Sequence, residues 1–165
     1  MKSLVQRISN RPVVIRIADA AVTTINAASE RSAPYETGGL LLGWWEADSI
    51  VIADALEVVD AAATTSSWSR REAHAQTTLD RFLADNDSGH LGYVGDWHSH
   101  PAPVGASGTD LASLARASLQ YEHPLALVVR LPNGSTDTRA AVNGRLVKVY
   151  ILSKTAKFND NTGGG

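Results

Sequence analysis

The apolar positions of the chain repeat with two periods, and the two alternate along it. Pro12-Val13-Val14-Ile15-Arg16-Ile17 is short, β-branched and bounded by proline, which predicts a strand. From Ala18 to Glu30 the chain is alanine-rich, with Ala21, Ile25 and Ala28 near helical spacing, and a first helix is expected that ends before Pro34. Gly38-Gly39-Leu40-Leu41-Leu42-Gly43-Trp44-Trp45 and Ile50-Val51-Ile52-Ala53-Asp54-Ala55 flank the turn Ala47-Asp48-Ser49. They predict a β-hairpin whose second strand runs on through Val58-Val59. Ala73, Thr77, Leu79, Phe82 and Leu83 among charged residues predict an amphipathic helix from Trp68 to Leu83, broken by Asp85-Asn86-Asp87-Ser88-Gly89.

Leu91 to His100 reads as the next strand and stops at Pro101. A loop from Pro101 to Ala106 leads to Ser107-Gly108-Thr109-Asp110, a helix-start signature ahead of Leu111, Leu114, Ala115 and Leu119 on one stripe. Leu125 to Arg130 and Arg145 to Ile151 read as strands, with turns at Pro132-Asn133-Gly134 and Val142-Asn143-Gly144. There is no internal repeat and no linker long enough to divide the chain. A tail from about residue 155 to Gly165 is expected to be flexible.

Composition narrows the function classes. A length of 165 residues argues for one domain with a core of its own, needing neither metal nor disulfide to fold. With 44% hydrophobic residues, 19% charged residues and a net charge of -2, the chain is neither disordered by composition nor committed to nucleic acid. The absence of cysteine excludes a disulfide scaffold, a thiolate zinc finger, an iron–sulfur cluster and a cysteine nucleophile. Any metal must therefore be held by imidazole and carboxylate. The apolar runs fall far short of the ~20 residues that span a bilayer, and the first seven residues lack the apolar core of a secretion signal. A cytoplasmic protein with no membrane or nucleic-acid partner is expected.

The chemistry gathers at the end of the Leu91 to His100 strand. Side chains two apart on a strand share a face, so His98 and His100 present two imidazoles together. Asp110 follows across a short loop, on a helix that can fold back toward the strand end. Two histidines and a carboxylate, with one position left open, are the ligand set of a catalytic zinc site. The same set can hold Fe(II) in an oxygenase. Two strand histidines can also be ordinary polar groups, and Ser107 with Asp110 can be no more than a helix cap.

Taken together, Glu36 before Gly38-Gly39-Leu40-Leu41-Leu42-Gly43, Trp97-His98-Ser99-His100-Pro101 and Ser107-Gly108-Thr109-Asp110 resemble the JAB/MPN (JAMM) metalloprotease family. The match spans Glu36 to Asp110, and the element order to about Ile151 is compatible with it. The resemblance implies an α/β fold of the α+β type: one domain over residues 1–154, with a mixed, mostly antiparallel sheet flanked by helices. It implies one Zn2+ held by His98, His100 and Asp110, with Glu36 as general base and Ser107 as oxyanion donor. The implied reaction is hydrolysis of a peptide or isopeptide amide at the tail of a ubiquitin-like protein conjugate. Stand-alone bacterial members further imply an antiphage or ubiquitin-like pathway, with ubiquitin-transfer-like enzymes and their targets as partners. Six residues separate His100 from Ser107, one fewer than the family pattern usually has, and Pro103 and Gly105 can absorb that deletion.

A catalytically silent MPN-type scaffold that binds a protein partner is the rival, and retention of Glu36, His98, His100 and Asp110 together argues against it. Ser99 lies between the histidines on the opposite strand face and takes no part in a Ser/His/Asp triad. His74, His90 and His123 have no ligand spacing to one another. Trp44, Trp45 and Trp97 are expected in the core or in a groove wall, and Arg70, Arg71, Arg116 and Arg139 in solvent. The glycines after Glu36 lack the Gly-Lys-Ser/Thr ending of a phosphate loop and are expected to pack closely in a strand.

Overall fold

The computed structural model describes residues 11–47, 49–86 and 89–152. Its elements are β1 (Val13–Ile17), α1 (Asp19–Ser32), β2 (Gly38–Glu46), β3 (Ser49–Glu57), α2 (Glu72–Asp85), β4 (Gly92–Ser99), α3 (Gly108–Ser118), β5 (Leu125–Arg130), β6 (Thr136–Val142), β7 (Arg145–Val147) and β8 (Val149–Leu152). The strands form one eight-stranded sheet in the order β7-β6-β5-β4-β2-β3-β1-β8. The β2-β3, β2-β4, β5-β6 and β6-β7 pairs are antiparallel, and β1-β3, β1-β8 and β4-β5 are parallel. The fold is thus the expected mixed, mostly antiparallel sheet with helices against it. The expected tail lies outside the described residues.

Three expectations about elements change. The segment from Arg145 to Ile151 is two strands, because Lys148 carries the chain from one edge of the sheet to the other. Val13 N–H donates to Lys148 O at 2.8 Å, which extends the β1-β8 pairing back to the residue where the chain leaves β7. Thr136 to Val142, read only as the stretch between two turns, is a strand. Its Thr138, Ala140 and Ala141 are buried although its composition is weakly apolar. The second helix begins at Glu72 rather than Trp68. The Trp68 indole N–H donates to Val58 O at 3.0 Å, and the Arg70 guanidinium binds Asp96. These tertiary bonds hold the preceding residues extended.

β4 is an inner strand, and its alternation divides the protein into two sides. Trp97 is fully buried and packs with Ile15, Ile25, Leu41, Ile52 and Val128 in the core under α1. On the other side of the sheet, Leu114 of α3 packs on Leu125, Leu127 and Val129 of β5. The close packing expected of the β2 glycines is present: a Cβ on Gly39 would lie 1.7 Å from Leu56 O. At Gly95 the requirement is also conformational. Its φ is +154°, beside a register shift between Leu41 and Leu42, and a Cβ would come within 2.0 Å of Ala126 O on β5. Gly95→Ala therefore combines backbone strain with overpacking at the centre of the sheet. It is expected to lower the unfolding free energy by at least about 2 kcal/mol, read from urea denaturation.

Candidate metal centre

Backbone pairing fixes the end of β4 before any side chain is considered. Ser99 N–H donates to Thr37 O at 2.8 Å, and His100 N–H donates to Arg130 O at 2.8 Å. Thr37 N–H in turn donates to the Ser99 hydroxyl at 3.0 Å. Ser99 faces away from the histidines, as expected, and works as a strap on the segment before β2. Glu36 belongs to that segment and is held further by its own N–H, which donates to Thr64 O at 2.8 Å. Thr37 adds a hydroxyl bond to Glu57 Oε1 at 2.9 Å.

On the opposite face His98 and His100 are buried, at 8% and 9% exposure. Their Nε2 atoms lie 3.1 Å apart, and Asp110 Oδ2 lies 3.5 Å from His98 Nε2 and 3.6 Å from His100 Nε2. Tetrahedral coordination at about 2.0–2.1 Å places ligand atoms about 3.3 Å from one another. The three observed edges bracket that value, so the donor set fits a divalent ion. Among the described residues this is the one group of three His, Cys, Asp or Glu side chains whose ligand atoms converge in this way. His100 Nδ1 lies 2.8 Å from Val104 O. A carbonyl only accepts, so Nδ1 carries the proton toward Val104 O, which leaves Nε2 as the nitrogen that faces His98 and Asp110.

Asp110 reaches the histidines because α3 starts where it does. Ser107 caps the helix, accepting from Asp110 N–H at 3.1 Å, while Asp110 Oδ2 accepts from Ser107 N–H at 2.7 Å. This capping box satisfies two otherwise unpaired donors and locks the carboxylate in place. Cap and candidate ligand are therefore one arrangement. The loop that is one residue short is drawn in by Asp137 of β6, whose Oδ2 accepts from Ala106 N–H at 2.8 Å. Gly105 is needed there, since a Cβ would come 2.3 Å from that same oxygen. Arg139, exposed as expected, is also paired with Asp137 at 2.7 Å and orients it.

Glu36 stands beside the group, with Oε1 3.9 Å from His100 Nε2 and its side chain 10% exposed. Burial pushes its carboxyl above the ordinary glutamate value, against the pull of His100 and His98 and with a further push from Asp110. Burial works in the same sense on Asp110. There the hydrogen bonds from His98 and from Ser107 N–H outweigh it and hold the carboxyl well below the usual carboxylate range.

The site opens into a cleft of about 790 Å³ between α3 and the segment that leads into α2. All five predicted residues, Glu36, His98, His100, Ser107 and Asp110, line it. Trp97 does not, because it lies in the core on the other face. Trp68 and Arg70 form part of the wall instead, and Arg70 is half-buried rather than solvated. Val104 O and Asp137 were also missed: a carbonyl oxygen has no sequence signature, and Asp137 is distant in the chain. His90 and His123 pack on Trp44 and Trp45, apart from the site. Among the described residues no helix is long and apolar enough to cross a membrane.

Comparison with known proteins agrees with this geometry. The chain is 32% identical over 93 residues to the probable metalloprotease y4qB of Sinorhizobium fredii, a match covering 54% of this chain and 56% of that protein. The chain thus spans about half the length of that relative. The solution structure of protein DSY2949 from Desulfitobacterium hafniense superposes with a TM-score of 0.59 at 17% identity, covering 85% of this chain and 94% of that one. That likeness concerns the fold. The model of the family described as prokaryotic homologs of the JAB domain matches residues 18–143, and the chain belongs to that family.

Proposed function

We propose that the chain is a zinc-dependent peptidase or isopeptidase acting on an amide bond at the carboxyl-terminal tail of a ubiquitin-like or similar protein conjugate. The observation that carries this reading is the convergence of His98, His100 and Asp110 with a buried, separately anchored Glu36 at the head of an open cleft. The name of the Sinorhizobium fredii relative supports the hydrolytic class. His98 Nε2, His100 Nε2 and an Asp110 oxygen would hold the ion. When bound, zinc supplies Lewis acidity toward a carbonyl oxygen and makes water acidic enough to attack near neutral pH.

The chain's own groups do the rest. The Glu36 carboxyl makes no hydrogen bond among the described residues and comes no nearer than 3.9 Å to His100 Nε2, so its oxygens are available to take a proton from the attacking water. Returned to the departing amine, that proton lets the carbon–nitrogen bond break without expelling an amide anion. Ser107 Oγ accepts from Asp110 N–H, which leaves its hydroxyl proton free to donate to the carbonyl oxygen as negative charge grows there. The asymmetry between the two carboxyls matches their roles: Asp110 is held ionised as a ligand, and Glu36 is tuned upward as a proton carrier.

Three outcomes are expected. Protein purified without chelator carries about one zinc per chain by elemental analysis, while His98→Ala and Asp110→Ala carry little; wild-type protein that takes up no zinc would refute the reading. Glu36→Gln keeps the metal and loses at least about 100-fold in the rate of cleaving a reporter joined through an amide to a tail ending in Gly-Gly. Asp137→Ala frees the loop before Ser107 and weakens zinc affinity about 10- to 100-fold in a chelator competition, with Asp137→Asn closer to the parent.

A further inference from the structure

From the metal centre the cleft runs as a trough along one face of β4. Its floor is made by His98, then Asp96, then Tyr93, and one wall is α3 from Ser107 to Ala117. Those ten helical steps amount to about 15 Å, enough for four or five residues of extended chain at about 3.3 Å each. The other wall carries Arg70. Its Nη1 donates to Tyr93 Oη at 2.9 Å and to Asp96 at 2.9 and 3.2 Å, and its Nη2 donates to Glu72 Oε1 at 2.6 Å. The guanidinium also lies 5.4 Å from the centre of the Tyr93 ring.

This cluster is not explained by stability. The side chains of Arg70 and Asp96 are 23% and 29% exposed and Glu72 is more exposed still, and ion pairs open to water in this way typically contribute little to stability. What the cluster does achieve is a guanidinium fixed in one orientation beside the trough. Three of its five N–H groups are used, and two have no acceptor among the described residues. With the carboxyl groups of Asp96 and Glu72 already paired to it, the guanidinium charge is offset, so it is built to meet a neutral acceptor rather than an anion. A peptide carbonyl is such an acceptor. Because the guanidinium is already ordered, little conformational entropy remains to be lost on contact.

We infer that Arg70 is a substrate-binding residue which holds a backbone carbonyl of an extended polypeptide tail, two to three residues on the acyl side of the scissile amide. The direction follows from register and rests on the proposed hydrolysis. Gly38 pairs with His98 and Leu40 with Asp96, so Glu36 lies at the His100 end of β4 and Arg70 at the other. The amine that receives its proton from Glu36 leaves at the His100 end, and the acyl chain extends toward Arg70. From His98 to Asp96 is two residues of strand, about 6.6 Å, which sets the two-to-three-residue offset. The site therefore takes an unfolded tail rather than a folded surface, and it disfavours an acidic residue beside Arg70.

The test is binding, measured apart from turnover. N-acetylated peptides of two, three, four and five residues, all ending in Gly-Gly with a free carboxylate, are titrated into zinc-loaded wild-type, Arg70→Gln and Arg70→Lys proteins by calorimetry. Wild-type affinity is expected to rise at least tenfold between two and four residues, and that rise is expected to be lost in Arg70→Gln. Arg70→Lys keeps a positive charge between Asp96 and Glu72 but lacks the planar fork, so it is expected to recover only part of the rise, with unchanged melting temperature and zinc content. It carries the test should Arg70→Gln not fold. An affinity that does not grow with length in the wild type, or grows equally in both variants, overturns the inference. Length-dependent binding without any cleavage overturns the proposed hydrolysis and leaves the tail site standing.

Discussion

Ser99 donates its backbone N–H to Thr37 on one side of β4, and His100 donates to Arg130 on the other. The rest of the site depends on that double grip. A strand held at both edges cannot rotate about its axis, so the alternation of Trp97-His98-Ser99-His100 becomes a strict division of labour. Trp97 and Ser99 anchor, and His98 and His100 project. Because the grip on Ser99 runs through Thr37, it also sets the position of Glu36, the neighbouring residue. A carboxylate that belongs to no element of its own is thereby tied to the strand that carries the two imidazoles.

The third member of the group reaches the site by a different logic. Asp110 sits in the first turn of α3, where unpaired N–H groups make a carboxylate favourable in any helix. An ordinary helix start thus places an ionised oxygen at a defined point, and the site needs only that the helix begin near the end of β4. Asp137 and Gly105 secure that placement by drawing the loop in from β6. With this loop the capping box is intact and Asp110 Oδ2 lies 3.5 and 3.6 Å from the histidine nitrogens.

What the sequence made legible is what depends on near neighbours. The shared face of His98 and His100 follows from strand periodicity, and the anchoring of Asp110 from the Ser-x-x-Asp cap. Glu36 had no local signal and was found through the family pattern around it. Arg70 and Asp137 act through partners 26 and 31 positions away, so propensity could not find them. The start of α2 was misjudged for the same reason, since the bonds from Trp68 and Arg70 override a helical pattern. The division of Arg145 to Ile151 into two strands arises only when the sheet closes, because its register belongs to β6 on one side and β1 on the other.

The distribution of these groups explains how a centre of this kind is maintained. Two imidazole nitrogens 3.1 Å apart, with one carboxylate beside them and another 3.9 Å away, are not an arrangement side chains adopt for their own sake. What holds them is backbone: the inner position of β4, the strap through Thr37 and the capped start of α3. The apolar weight that supports this backbone lies mostly elsewhere, in the core beneath α1 and around Trp97. Structural zinc sites in small domains work the other way, with the ion supplying the folding energy. Here the fold alone supplies the geometry.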